Sequence, residues 1–119
     1  MMHPTVIYTL VRQADWQAAE AQGHYEGSAD DRADGFLHFS TAEHLRESAR
    51  RHRAGEQDLL LVAVGTENLG AALKWELAPK RGAHFPHLYE PLQMQHVLSV
   101  TPVPLGADGQ HRFPEEIPG

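Results

Sequence analysis

One histidine interrupts a short apolar segment that ends where a helix is expected to begin. In Asp34–Thr41 a glycine is followed by apolar residues around His38, and the segment ends in the hydroxyl pair Ser40 and Thr41. A strand-to-helix corner of this kind holds a polar side chain where a ligand can reach it. A second segment, His84–Pro91, is rich in rigid and titratable groups and is typical of neither a helix nor a strand. We expect the two segments to line one cleft.

Glu76 is a further candidate for chemistry. It follows Trp75 in a segment whose apolar and polar residues alternate. A carboxylate held against an aromatic wall can accept a hydrogen bond from a sugar hydroxyl or stabilise a developing positive charge. The alternative is a solvated glutamate, which is the ordinary state of this residue type. For His38 the corresponding alternative is a core histidine that hydrogen-bonds to the backbone.

The histidines of the second segment raise the question of a metal. His84 and His87 lie three residues apart, and with His38 and Glu76 they could form a histidine and carboxylate site. A metal-dependent hydrolase that uses His38, His84 and His87 is therefore one alternative function. The chain has nine histidines, and this spacing does not fall on a helix, so we assign no metal ligands. Tyr89 either packs this segment onto the sheet or stacks on a planar ligand.

The elements that must position these side chains are short. Ser40 and Glu43 have the spacing of a capping box, which predicts a helix directly after them. Residues 58–64 are apolar without alternation, which predicts a central strand buried on both faces. Residues 24–34 and 79–91 have the composition of loops. Further patterns predict strands at 6–11, 36–39, 73–77 and 95–103 and helices at 15–22 and 41–52. The predicted fold class is α+β, with mixed or antiparallel sheets and two main helices.

Apolar spacing also predicts which side chains face the core. Leu45 and Ala49 lie on one face of the second predicted helix. In the last predicted strand we expect Val97, Leu98 and Val100 to be the buried anchors.

Composition limits the range of functions. The chain has 119 residues, which suits one domain; we assign 1–101 to a compact α+β domain and 102–119 to an irregular, proline-rich tail. Cysteine is absent, which excludes disulfides and cysteine catalysis. The net charge of −6 argues against nucleic acid as a partner. The sequence has neither a signal-peptide pattern nor an apolar run of membrane-spanning length, so we expect a cytoplasmic protein with no membrane partner.

The order of these motifs resembles a small bacterial family, the domain of unknown function 952. The resemblance extends from Ile7–Tyr8 to about Val100. Its most specific parts are Asp34–Thr41, Leu73–Glu76 and Phe85–Tyr89. The activity of this family is not established.

The resemblance implies an ADP-ribosylation fold, in which NAD or a related nucleotide lies in a cleft between two small sheets. His38 would then stack on the nicotinamide, and Glu76 would stabilise the ribosyl transition state. The implied ligand contacts are Tyr8, Thr9, Ser40 and Thr41. We add His87 and Tyr89 as ligand contacts on their own evidence, as residues of an ordered segment near the cleft. Thr9 stands where many relatives carry histidine, which favours ligand binding over NAD cleavage. The sequence identifies no cofactor; NAD is a candidate ligand or substrate, and a noncatalytic binding module is the second alternative.

Overall fold

The computed structural model describes residues 3–118. Its strands pair in antiparallel fashion, and the fold class is α+β with three helices. The helices are α1 (Gln13–Gln22), α2 (Ala29–Asp34) and α3 (Ala42–His52). The strands are β1 (Val6–Arg12), β2 (His24–Tyr25), β3 (Leu37–His38), β4 (Leu59–Gly65), β5 (Leu73–Ala78), β6 (Ala83–Leu88), β7 (Leu92–Gln93) and β8 (Val97–Val103). Across the described chain, no helix is long and apolar enough to cross a membrane.

Two three-stranded sheets form most of the fold. The first has the order β1–β4–β8 and the second the order β3–β6–β5, while β2 and β7 form a separate pair. The central position of β4 in the first sheet confirms the strand predicted at 58–64. Side chains on both of its faces are buried, Leu61 and Ala63 on one face and Val62 and Val64 on the other.

Two hydrophobic cores lie on opposite faces of the first sheet. The larger core contains Ile7 and Val11 of β1 together with Leu37 and Leu88 of the second sheet. Because side chains alternate along a strand, Tyr8 and its neighbour Leu10 face the other way, into the smaller core. Helix α3 covers that smaller core with Leu45 and Ala49, as its apolar spacing predicted.

The chain between β3 and α3 connects the two sheets. The backbone of Ser40 exchanges two hydrogen bonds of 2.8 Å with the backbone of Tyr8. One residue earlier, the amide of Phe39 donates to the carbonyl oxygen of Pro86 at 3.0 Å. The strand-to-helix corner therefore lies against β1 on one side and β6 on the other, which fixes the start of α3.

The prediction of a loop at 24–34 is wrong, because this segment contains β2 and α2. Ser28 and Asp31 form a capping box: the Ser28 hydroxyl accepts from the Asp31 amide, and the Asp31 carboxylate accepts from the Ser28 amide. Gly35 ends the helix in the left-handed region at φ 86°. The signal was present as Ser-x-x-Asp, but the helix is only six residues long, so it shows little apolar periodicity.

The prediction of a loop at 79–91 is also wrong, because β6 is the central strand of the second sheet. Pro86 lies within this strand, although proline usually avoids such positions for lack of an N–H. Its carbonyl bonds to Phe39, and in an antiparallel strand the N–H of the same residue would point the same way. The missing donor therefore faces the end of the very short β3, where its loss costs little.

Two finer predictions about the helix and the last strand are wrong. Thr41, rather than Ser40, is the N-cap residue of α3, and its side chain makes no capping bond. The pairing with Tyr8 turns Ser40 away, so that its hydroxyl donates to the Ser48 hydroxyl at 2.9 Å. In β8 the side chains of Leu98 and Val100 are exposed, because neither core extends over them, whereas Val97 packs against the larger core as predicted.

The chain beyond β8 lies against the smaller core. Phe113 and Ile117 pack against it, and the Tyr8 hydroxyl donates to the carbonyl oxygen of Pro118. Arg46 of α3 donates to the carbonyl oxygen of Pro114 at 3.1 Å. Residues 104–118 have little regular structure but make these specific contacts.

Candidate functional site

The outer face of the second sheet carries a row of titratable side chains. The strand register pairs His38 of β3 with His87 of β6, and His87 in turn with Lys74 of β5. Glu76 lies two residues from Lys74 on the same face. The opposite face carries apolar side chains such as Leu88, which belong to the larger core. Buried apolar residues on the inner face thus hold the polar residues in a fixed row.

Glu76 is held by two donors. The Tyr89 hydroxyl donates to its Oε1 at 2.6 Å, and Nδ1 of His87 donates to the same oxygen at 2.8 Å. The bond from Tyr89, followed by that from His87, lowers the pKa of Glu76. The same bond raises the pKa of Tyr89. The carboxylate is therefore ionised at neutral pH and fixed through one oxygen, while its side chain stays 40% exposed.

His87 is the more buried of the two imidazoles, with 14% of its side chain exposed. Burial lowers its pKa, although the hydrogen bond to Glu76 partly offsets this, and the nearby charge of His38 lowers it further. The ring is thus neutral at neutral pH, with its proton on the Nδ1 that donates to Glu76. The basic atom of this ring is then Nε2.

His38 has the opposite character. Its Nδ1 lies 2.5 Å from Oδ1 of Asp31, and its Nε2 lies 2.9 Å from Oδ2 of Asp34. The hydrogen bond to Asp31 raises the pKa of His38, and this effect outweighs burial. For Asp31, burial favours a higher pKa, but the bonds from His38 and Ser28 outweigh it and lower the pKa. Of the two rings, His38 is therefore the one that is protonated more readily.

Aromatic rings complete the surface. The Phe36 ring is stacked on His87 with centroids 4.1 Å apart, and it lies 4.5 Å from His38 and 5.1 Å from Tyr89. The rings of His38 and His87 are 5.5 Å apart, edge to face. The ammonium group of Lys74 lies 4.9 Å from the Tyr89 ring centre. We call Asp31, Asp34, Phe36, His38, Glu76, His87 and Tyr89 the histidine cluster.

The structure brings four of the eight sequence-predicted site residues into the histidine cluster, namely Glu76, His38, His87 and Tyr89. It places the other four, Tyr8, Thr9, Ser40 and Thr41, elsewhere. Tyr8 lies in the smaller core, and alternation puts Thr9 between Ile7 and Val11 on the face toward the larger core. The Ser40 hydroxyl is bonded to Ser48. Thr41 is buried, and its hydroxyl has no hydrogen-bond partner within residues 3–118.

The three histidines of the metal alternative do not come together. His84 and His87 are an odd number of residues apart on β6, so their side chains point to opposite faces of the sheet. His84 pairs with Leu77 rather than with the row that contains His38. In the described part of the chain no group of three or more metal-ligating side chains is suitably placed.

Sequence reasoning missed Asp31, Asp34 and Phe36. Asp31 could have been found through its capping-box spacing to Ser28, which predicts an ordered helix rather than a loop. Phe36 could have been found by alternation, since it lies two residues from His38. No sequence pattern indicates that Asp34 would reach the same ring.

Fold and site together define a small antiparallel α+β protein with an aromatic and titratable sheet face. The chain belongs to the family described as "Protein of unknown function (DUF952)", whose model matches residues 10–100. This confirms the family resemblance that the motifs indicated.

Solved structures of a bacterial relative share the fold. The crystal structure of protein CC0527 from Caulobacter crescentus is 46% identical and has a TM-score of 0.86, with 91% of this chain and 94% of that chain covered. The solution NMR structure of CC0527 is 47% identical and has a TM-score of 0.79, with 89% and 90% covered. A comparison with curated proteins finds no match.

Proposed function

We propose that the histidine cluster binds a ligand that contains a ribose, of the NAD or ADP-ribose type. The observation that carries the proposal is the state of Glu76, whose Oε1 accepts from both His87 and Tyr89. These bonds fix an ionised carboxylate on an accessible surface, and neither of them uses Oε2. A ribose hydroxyl is a donor that suits this oxygen.

The rings of the cluster supply the second part of a nucleotide site. The centre of the Phe36 ring lies 4.5 Å from that of His38 and 5.1 Å from that of Tyr89. Aromatic rings at the edge of such a group offer flat apolar surface on which a planar base can stack. A ligand that combines a base with ribose hydroxyls meets both kinds of group at once.

The proposal includes a relationship to the ADP-ribosylation fold, which the family resemblance implies. Two small antiparallel sheets support it, as does their connection at the corner between His38 and α3. His38 would contact the base, and Glu76 would face the ribose.

A noncatalytic binding module is the form of this function that we favour. The family resemblance implies a histidine in many relatives at the position of Thr9, and Thr9 lies on the β1 face toward the larger core, away from Glu76. His38 has both ring nitrogens bound to carboxylates, so it has no free donor for a phosphate. Both observations favour binding without cleavage of the ribosyl bond.

Titration calorimetry with NAD and with ADP-ribose tests the proposal. We expect saturable binding to the wild type and a weaker affinity for Glu76→Gln, which keeps the shape but removes the charge. The loss of a hydrogen bond to a charged group costs about 1.5–3 kcal/mol, which is roughly 10- to 100-fold in Kd. His84→Ala is the matched control, because His84 lies on the neighbouring strand β6 but its side chain is on the opposite face of the sheet. Wild-type protein that binds neither ligand would refute the proposal.

An assay of nicotinamide release separates the two forms of the function. The binding module predicts saturable NAD binding without release. If the wild type does release nicotinamide, the module is wrong and Glu76 is the candidate for the catalytic carboxylate. Glu76→Gln should then lose about 10²–10³-fold in turnover, the usual effect of removing one electrostatic stabiliser.

A further inference from the structure

Asp31 accepts three hydrogen bonds through its two carboxylate oxygens. Its Oδ2 accepts from the Ser28 amide at 2.9 Å, and its Oδ1 accepts from the His38 amide at 3.1 Å. The same Oδ1 lies 2.5 Å from Nδ1 of the His38 ring. Only 9% of the Asp31 side chain is exposed. One buried group thus joins the first turn of α2 to both the backbone and the ring of His38.

Close packing keeps Asp31 in this position. Gly27 has a φ of 102°, and a Cβ on it would lie 2.7 Å from the Cβ of Asp31 and 2.6 Å from Leu37. Backbone and side chain therefore leave no room for Asp31 to move toward this loop. The carboxylate is held by its surroundings and not by His38 alone.

The position of Asp31 decides which imidazole carries the charge. A buried carboxylate is costly unless it is paired, and the His38 ring is the cationic partner within its reach. The second nitrogen of His38 faces Asp34, which also favours the protonated ring. The rings of His38 and His87 are 5.5 Å apart, so a charge on one disfavours a charge on the other.

The other charged and titratable groups around the two rings do not make His87 the more basic ring. On the side of β5, His87 faces Glu76, which is shared with Tyr89, and Lys74 is the nearby cation. His38 has two carboxylate partners from α2, whereas His87 has one and is more deeply buried.

We propose that Asp31 is the positioning residue of the histidine cluster: it fixes His38 as the imidazolium, and the charge of that ring adds to burial in keeping His87 as the neutral ring. Nε2 of His87 is then the acceptor that the cluster offers to a ligand hydroxyl. Only this last step rests on the proposed function. The charge distribution belongs to the protein without ligand, so it can be measured even if the nucleotide proposal fails.

Imidazole 15N shifts followed through a pH titration test this directly, with the ring signals assigned from His38→Gln and His87→Gln. In the wild type we expect His38 to be protonated at neutral pH and His87 to be neutral with its proton on Nδ1. Asp31→Asn should lower the pKa of His38 and, because the neighbouring charge is lost, raise that of His87. Ser28→Ala is the matched control, since it removes the cap on the Asp31 amide but leaves the carboxylate in place; neither pKa should change.

Two outcomes would overturn the proposal. One is a wild-type titration in which His87 is protonated at a higher pH than His38. The other is an Asp31→Asn protein in which the pKa of His38 is unchanged. If Asp31→Asn does not fold, His38→Gln provides a further test, because loss of the His38 charge must raise the pKa of His87; an unchanged pKa of His87 in that variant would also overturn the proposal.

Discussion

At the scale of single residues, two carboxylates of the histidine cluster each accept two hydrogen bonds through one oxygen. Oδ1 of Asp31 accepts from the amide and the ring of His38, and Oε1 of Glu76 accepts from His87 and Tyr89. The pKa values of the two imidazoles are nevertheless shifted in opposite directions. For His38 the carboxylate bond is the larger effect, and for His87 burial is. Pairs of groups whose pKa values are driven apart are typical of sites that bind or move protons.

The pairing of Asp31 with His38 predicts a pH-dependent contribution to stability. The pKa of His38 is raised above its ordinary 6.5. Protonated His38 therefore contributes fully to the free energy of unfolding below pH 6.5, and this contribution is lost as the pH rises through the pKa of the folded state. The pKa of Asp31 is lowered below its ordinary 3.8, so its contribution is complete above that pH and is lost in acid. The coupling should therefore be greatest between these two values.

A double-mutant cycle measures this coupling free of other titrating groups. We expect urea unfolding of the wild type, Asp31→Asn, His38→Gln and the double mutant to give a larger coupling energy at about pH 5 than at about pH 9. A coupling energy that is equal at both pH values would show that the pair is held by its geometry alone, without the ring charge.

The sequence indicated the residues with obvious chemistry and missed those that support them. His38, Glu76, His87 and Tyr89 are polar groups within or beside apolar segments, which local pattern can detect. That they meet depends on the register of β3, β6 and β5, which no local pattern contains. Asp31 was missed because a six-residue helix lacks periodicity, and Phe36 because its ring looked like one more core residue.

At the scale of elements, the long regular segments were predictable and the short or broken ones were not. Strand β4 and helix α3 have apolar patterns strong enough to identify from sequence. Strand β6 was missed because Pro86 and a nearby glycine and second proline have the composition of a loop. Its central place in the sheet depends on pairing with a strand on each side, β3 and β5, and the local sequence contains no signal for that pairing.

Gly27 shows how a short element depends on one glycine. Gly27→Ala forces a side chain into the left-handed region and against Asp31 and Leu37, and we expect a loss of about 2–4 kcal/mol in the free energy of unfolding. Gly23→Ala is the matched control: Gly23 has a φ of 92° but open space around its Cβ position, so only the backbone cost of about 1–2 kcal/mol applies.

Chemical denaturation of the two variants checks the prediction. Equal losses would mean that the Gly27 loop adjusts at no cost and that Asp31 is not clamped. The titration of His38 in Gly27→Ala provides a second readout, because displacement of Asp31 should lower the pKa of that ring.

At the scale of the whole molecule, the first sheet separates two cores with different partners. One face packs against the second sheet and α1, and so supports the histidine cluster from behind. The other face packs against α3 and the chain after β8. Tyr8 belongs to this second face, which explains why it lies apart from the residues with which its motif was grouped.

The segment after β8 should therefore contribute to stability without contributing to the site. Phe113 is partly buried against the smaller core, and the guanidinium of Arg46 lies 5.6 Å from its ring centre. Phe113→Ala should cost about 1–3 kcal/mol, less than the roughly 3–5 kcal/mol of a fully buried phenylalanine. Leu98→Ala is the control, because Leu98 is 60% exposed, and it should change stability by less than about 0.5 kcal/mol.

Because Phe113 packs on the face of the first sheet that is turned away from the second sheet, the imidazole 15N shifts of His38 and His87 should be the same in Phe113→Ala as in the wild type. A variant that keeps its stability, or one in which those shifts move, would contradict this division of the molecule into two cores with separate roles.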